Sequence, residues 1–130
     1  MRIQKKTEKR IINYYNNKKK RKRLEYELDL LERALYDIEK CRTNENTKEI
    51  EIRLENNKRK IIEKRLQVNE IVNENMGLEA FIFTLNREDK ELCELRYNRN
   101  LGYQEIGRVM HISNSTISRR LNNILMDINI

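Results

Sequence analysis

The sequence predicts an all-α protein, with an N-terminal long helical hairpin or coiled coil followed by a C-terminal helix-turn-helix domain. Three observations carry that expectation. The 130 residues include no Pro and only three Gly, which leaves little turn chemistry to punctuate strands. Leu, Ile, Glu, Lys and Arg crowd the chain, and most of these favour helix. Apolar residues recur at alternating spacings of four and three, as along one stripe of a helix.

Composition also bounds the function. Charged residues make up 38% of the chain and aromatics 6%, a balance that suits exposed helices with narrow apolar stripes better than one large core. No apolar run approaches the roughly 18 residues that span a bilayer. The opening MRIQKKTEKR is followed by no apolar signal region, so a cytoplasmic protein with no membrane partner is expected. Cys41 and Cys93 lie far apart, and His111 is the single histidine, which leaves no zinc-finger spacing. Reduced thiols, no metal and no cofactor are the expectation.

The first element is a basic arm. Residues 1 to 23 hold eleven Lys or Arg against one Glu, whereas residues 78 to 130 hold seven against seven. The arm contains Lys18, Lys19, Lys20, Arg21, Lys22 and Arg23 in one run, and six adjacent like charges repel one another unless a polyanion is near. Nucleic acid is the partner that this run suits. A membrane-surface helix would want Trp, Phe or Leu opposite the basic face, and the neighbours are Asn13, Tyr14, Tyr15, Asn16 and Asn17.

From Leu24, a seam of Leu24, Leu28, Leu31, Leu35 and Ile38 defines the first long helix. The polar segment Cys41 to Asn46 interrupts it. A second seam then runs through Ile50, Leu54, Ile61, Val68 and Ile71, with Asn57 and Lys64 at stripe positions, where polar residues fix register or oligomer state. Stripes this narrow predict self-association, with a homodimer favoured. Gly77, the single glycine before Gly102, marks a helix end or hinge, so the domains are placed at 1–77 and 78–130. Alternatively, the stripe runs on through Leu78, Ile82 and Leu85 into the next domain.

Beyond Leu85, Asn86 followed three residues later by Asp89 resembles a capping box before a helix carrying Leu92, Leu95 and Tyr97 inward. A short helix from Tyr103 to Met110 should bury Ile106 and Val109, with Gly107 where two helices approach closely. A tight turn at His111 and Ile112 leads into a helix capped by Ser113, with Ile117, Leu121, Ile124, Leu125 and Ile128 inward at helical spacing. Its other face groups Asn114, Ser115, Ser118, Arg119 and Asn122 without an acid. Such amides, hydroxyls and a guanidinium can reach base edges and phosphates in a major groove about 12 Å wide.

The stretch LEAFIFTLNREDKELCELRYNRNLGYQEIGRVMHISNSTISRRLNNIL resembles region four of bacterial sigma factors, over residues 78 to about 128. Leu85, Tyr97, Ile106, Gly107, Ile112, Ser113, Thr116 and Ile117 stand where that pattern places them. With the Tyr14-Tyr15 pair and the basic N-terminal helix, the whole chain is similar to phage late-transcription regulators of the RinA and ArpU type. The resemblance implies binding of double-stranded DNA and contact with RNA polymerase. It also implies DNA contacts from Ser113, Asn114, Ser115, Thr116, Ser118, Arg119, Arg120 and Asn122, and from His111 at the turn.

Two departures stand out. His111 replaces the glycine usual at a turn position that needs positive φ. Arg119 and Arg120 are the only basic residues of the third helix, so the basic arm is the natural source of further electrostatic affinity. Nothing resembles the sigma region that melts promoters, which favours an activator over a stand-alone sigma factor. No catalytic triad, phosphate-cradling loop or paired carboxylate site is evident, and no enzyme is expected. A small terminase-like DNA-packaging subunit, recognisable by a large ring, and a coiled-coil scaffold without salt-dependent DNA binding are the competing expectations.

Overall fold

The computed structural model describes residues 2–43 and 45–128, with side chains from Lys5 onward. Asn44, in the loop read from the sequence, lies outside the described residues. Each regular element among them is a helix: α1 (Arg2–Lys40), α2 (Thr47–Thr84), α3 (Arg87–Cys93), a π-helical turn (Glu94–Asn98), α4 (Tyr103–Met110) and α5 (Asn114–Ile128). They form two compact units, one of residues 18–74 and the other of residues 1–17 with 75–130.

The 18–74 unit is an antiparallel hairpin. Its register follows from three cross-links: Lys64 Nζ lies 2.6 Å from Glu27 Oε2, Asn57 Nδ2 donates to the Leu31 carbonyl at 3.2 Å, and Arg65 pairs with Glu32 at 2.7 Å. Leu24 is buried, and Leu28, Leu31, Leu35 and Ile38 are half-buried; opposite them Ile50, Leu54, Ile61 and Ile71 are buried. The stripe read as an oligomer contact is thus occupied within one chain. Asn57 and Lys64, which interrupt the second seam, make two of its specific bonds. A bond to the main chain of the other helix cannot survive a slide in register, as an apolar contact can. The hydrogen bond from Lys64 also holds the Glu27 carboxyl below its ordinary pKa. At the hairpin tip, Asn46 Oδ1 accepts from the Thr43 amide at 2.9 Å and from its hydroxyl at 2.7 Å, a side-chain substitute for backbone pairing.

The other unit has a denser core. Ile11, Leu92, Cys93, Ile106 and Ile117 are fully buried, and Tyr14, Tyr15, Leu78, Leu95, Tyr97, Leu121, Ile124 and Leu125 pack with them. The sequence expectation separated residues 1–77 from 78–130, yet Ile11, Tyr14 and Tyr15 belong to this core. Thr7, Ile11 and Tyr14 follow one another at helical spacing, and each is buried. Periodicity alone shows that such a face exists but not which element covers it. The Tyr14 and Tyr15 rings meet edge-on at 5.0 Å. Asn75 Nδ2 donates to the Tyr14 carbonyl at 3.2 Å, and Asn17 Nδ2 donates to Asn75 Oδ1 at 3.2 Å, so this buried amide is satisfied.

Gly77 is neither hinge nor helix end, because α2 runs through it to Thr84. A Cβ there would meet nothing within 4 Å, so packing does not require glycine. The stripe continues through buried Leu78 and half-buried Ile82 and Leu85, which is the alternative reading of the sequence.

Candidate nucleic-acid interface

The interface is built on α3, whose first turn is capped by Asn86: its Oδ1 accepts from the Asp89 amide at 2.8 Å. That bond satisfies one of the orphan donors of the helix start. Leu92 and Cys93 then face the core, where burial pushes the pKa of the Cys93 thiol up to about 12. The π-helical turn carries Leu95 and Tyr97 inward. The chain reverses at Asn100, with φ 57°, and the Leu101 amide closes back on the Leu95 carbonyl at 3.0 Å.

Helix α4 is only eight residues long, and its buried anchor is Ile106. Val109, expected inside, is 52% exposed. Met110 is half-buried and packs against the core instead, since i and i+4 share a face more closely than the remaining position can. Gly107 meets its expected role: a Cβ there would lie 2.8 Å from the Ile112 carbonyl oxygen, a backbone atom that could not yield alone. The turn that follows depends on His111 at φ 58° and ψ 45°, in the left-handed region. Its amide and that of Ile112 both donate to the Gly107 carbonyl.

Ser113 caps α5 by accepting from the Thr116 amide at 3.2 Å. Ile117, Leu121, Ile124 and Leu125 are buried, which turns the opposite face outward. On it Asn114, Ser115, Arg119 and Asn122 are exposed and Ser118 is half-exposed. No carboxylate interrupts this face. Arg119 has no ion pair among the described residues.

Arg120 and Thr116 are placed differently. The Arg120 guanidinium is hydrogen-bonded to Glu88 of α3, which raises its pKa and directs it toward the scaffold. Thr116 is half-buried, with its hydroxyl 2.8 Å from Ser113 Oγ, so it reinforces the cap. His111 is exposed at the turn.

A cleft of about 410 Å³ adjoins this face, lined by Arg96, Gly102, Tyr103, Gln104, Glu105 and Asn114. Arg96 leaves the π-helical turn, donates to the Leu101 carbonyl at 3.0 Å and sits 4.8 Å from the Tyr103 ring centre. It is a candidate that the sequence expectation misses. Its only signal there is the outward position between inward Leu95 and Tyr97.

The basic run is no free arm. Lys18 to Arg23 are exposed residues in the interior of α1, within the 18–74 unit. Arg21 pairs with Glu25 at 2.9 Å and Arg23 approaches Glu27 at 3.9 Å; exposed pairs of this kind are weak. Among the described residues no helix is long and apolar enough to cross a membrane, and no group of His, Cys, Asp and Glu could hold a metal ion.

Residues 81–128 match the family model described as Sigma-70, region 4. The matched segment runs from the end of α2 through α5, and it supports a DNA-binding helix-turn-helix of the type used in transcription regulation. No curated protein and no solved structure matches the chain.

Proposed function

We propose that this chain is a sequence-specific, double-stranded DNA-binding transcription regulator that places α5 in the major groove. The observation that carries this reading is the exposed, acid-free face of Asn114, Ser115, Ser118, Arg119 and Asn122 on the second helix of a helix-turn-helix. The apolar side of α5 is locked into a dense core, so the polar side is presented without a conformational cost at binding. Asn and Arg can address adenine and guanine edges bidentately, while Ser fits either. His111 and Ser113 sit where a helix start approaches phosphates. The exposed Lys18–Arg23 run supplies charge that is indifferent to sequence.

Similarity to phage late-transcription regulators supports a finer reading: a cytoplasmic activator of phage or prophage late genes that contacts RNA polymerase and acts by binding rather than catalysis. Selection of duplexes from a randomised pool tests the core of the proposal. Enrichment of a short motif, protected from cleavage in the major groove, is expected. Retention of duplex DNA without enrichment of any sequence would overturn it.

A further inference from the structure

The hairpin seam fills one face of α2 and leaves a second apolar line uncovered. Ile52, Ile62 and Leu66 are 57%, 58% and 58% exposed. With Glu55 and Arg59, both exposed, they follow the spacing three, four, three, four along the helix. That is the same heptad rule as the inner seam, displaced to the opposite side. The ion pairs that cross the hairpin use Glu27, Glu32, Lys64 and Arg65, not the charges of this outer line.

The order of side chains on this line reads Ile, Glu, Arg, Ile. Laid antiparallel on a second copy, it complements itself. About a two-fold axis level with Asn57, Ile52 meets Ile62 of the other copy and Glu55 meets Arg59. The same two pairings recur on the far side of the axis, and Leu66 falls beside the aliphatic stem of Lys48. Self-complementarity across a two-fold is what an isologous interface requires, and a different partner would impose no such pattern. We infer that the outer face of α2 between Ile52 and Leu66 is a dimerisation surface whose occupant is a second copy of this chain. Glu49 then approaches Glu63 of the other copy and Lys58 approaches its own equivalent, so the dimer is concentration-dependent rather than permanent. This inference is independent of the DNA-binding reading.

Sedimentation of the full chain over a range of concentrations, beside Glu55→Arg, Arg59→Glu and the double reversal, tests the pairing. The parent should form a reversible dimer. Each single reversal places two like-charged pairs in the interface and should raise the dissociation constant about tenfold or more. The double reversal should bring the dimer back, because it restores both pairs with their signs exchanged. These side chains are exposed, so at concentrations below the dissociation constant, where each form is monomeric, the melting curves of the variants should overlay that of the parent. In a Cys41→Ser background, joint Ile52→Cys and Ile62→Cys changes should yield a covalent dimer on mild oxidation. A parent that stays monomeric, single reversals that dimerise like the parent, a double reversal that stays dissociated, or failure to cross-link would each overturn the inference.

Discussion

The two units are both helical, yet they are held together by different means. In the unit of residues 1–17 and 75–130, thirteen buried side chains pack into one core, and five of them have no exposure at all. In the 18–74 hairpin, the leucines of α1 after Leu24 stay half-exposed and the seam is pinned by Asn57, Lys64 and Arg65. A dense core holds the outward side chains of α5 at fixed positions. Polar pinning fixes the register of a hairpin whose apolar seam is only partly buried.

The sharpest test of this contrast is Ile11→Ala. Ile11 is fully buried in the core that supports α5, so the truncation should destabilise that unit by about 2–5 kcal/mol. Leu31→Ala, at a half-buried site of the hairpin, should fall clearly below that range. Thermal unfolding followed by circular dichroism ranks the two. Should Ile11→Ala leave the unfolding of α3 to α5 unchanged, residues 1–17 do not belong to that core.

Glycine replacements give a smaller effect with opposite signs. Gly107→Ala drives a methyl against the Ile112 carbonyl at 2.8 Å and should destabilise by about 1–3 kcal/mol. Gly77→Ala enters open space inside α2 and should stabilise by about 0.5–1 kcal/mol. Equal midpoints for the two variants in a urea titration would contradict both placements.

Titration should also weaken the two units at opposite ends of the pH scale. In the dense core, burial raises the Cys93 thiol from 9.0 to about 12 and the Tyr14 phenol from 10.0 to about 12, and it raises Tyr15 and Tyr97 as well. Raised groups leave the folded state protonated after the unfolded chain has ionised. Their stability is therefore complete below about pH 9 and drains away as pH climbs toward 12. Glu27 of the hairpin is lowered from 4.5 by Lys64, so its contribution is present above that value and is lost as pH falls through the folded pKa. Hydrogen exchange resolved by segment should show α3 to α5 opening first in alkali and the hairpin weakening in acid.

Much of the local geometry around α5 was legible in the sequence, because short-range rules determine it. Asn86 before Asp89, Gly107, a residue that tolerates positive φ at 111 and Ser113 before α5 each act within a few residues of themselves. The same holds for the seams of the hairpin and for the polar loop between them. The partner of the Ile11 and Tyr14 face was not legible, since a stripe does not name what covers it. Nor could spacing reveal that Arg120 turns to Glu88 or that Arg96 stands over Tyr103, because the first pairing depends on how α5 crosses α3 and the second on how α4 meets the π-helical turn. Gly77 misled for a related reason: a glycine can stand in a helix that tertiary packing holds together on either side.

The proposed function divides the labour, with α5 reading sequence and the Lys18–Arg23 run adding charge. Competition binding of a selected duplex against random DNA, at several salt concentrations, measures it directly. Arg119→Ala should cost about 1–3 kcal/mol at one or two base pairs and leave binding to random DNA nearly intact. Changing Lys18, Lys19, Lys20 and Lys22 to Gln should instead weaken all sequences alike and flatten the salt dependence by about 0.9 for each phosphate no longer neutralised. If the lysine variant loses its preference for the selected sequence while Arg119→Ala keeps it, the roles assigned to the two elements are contradicted.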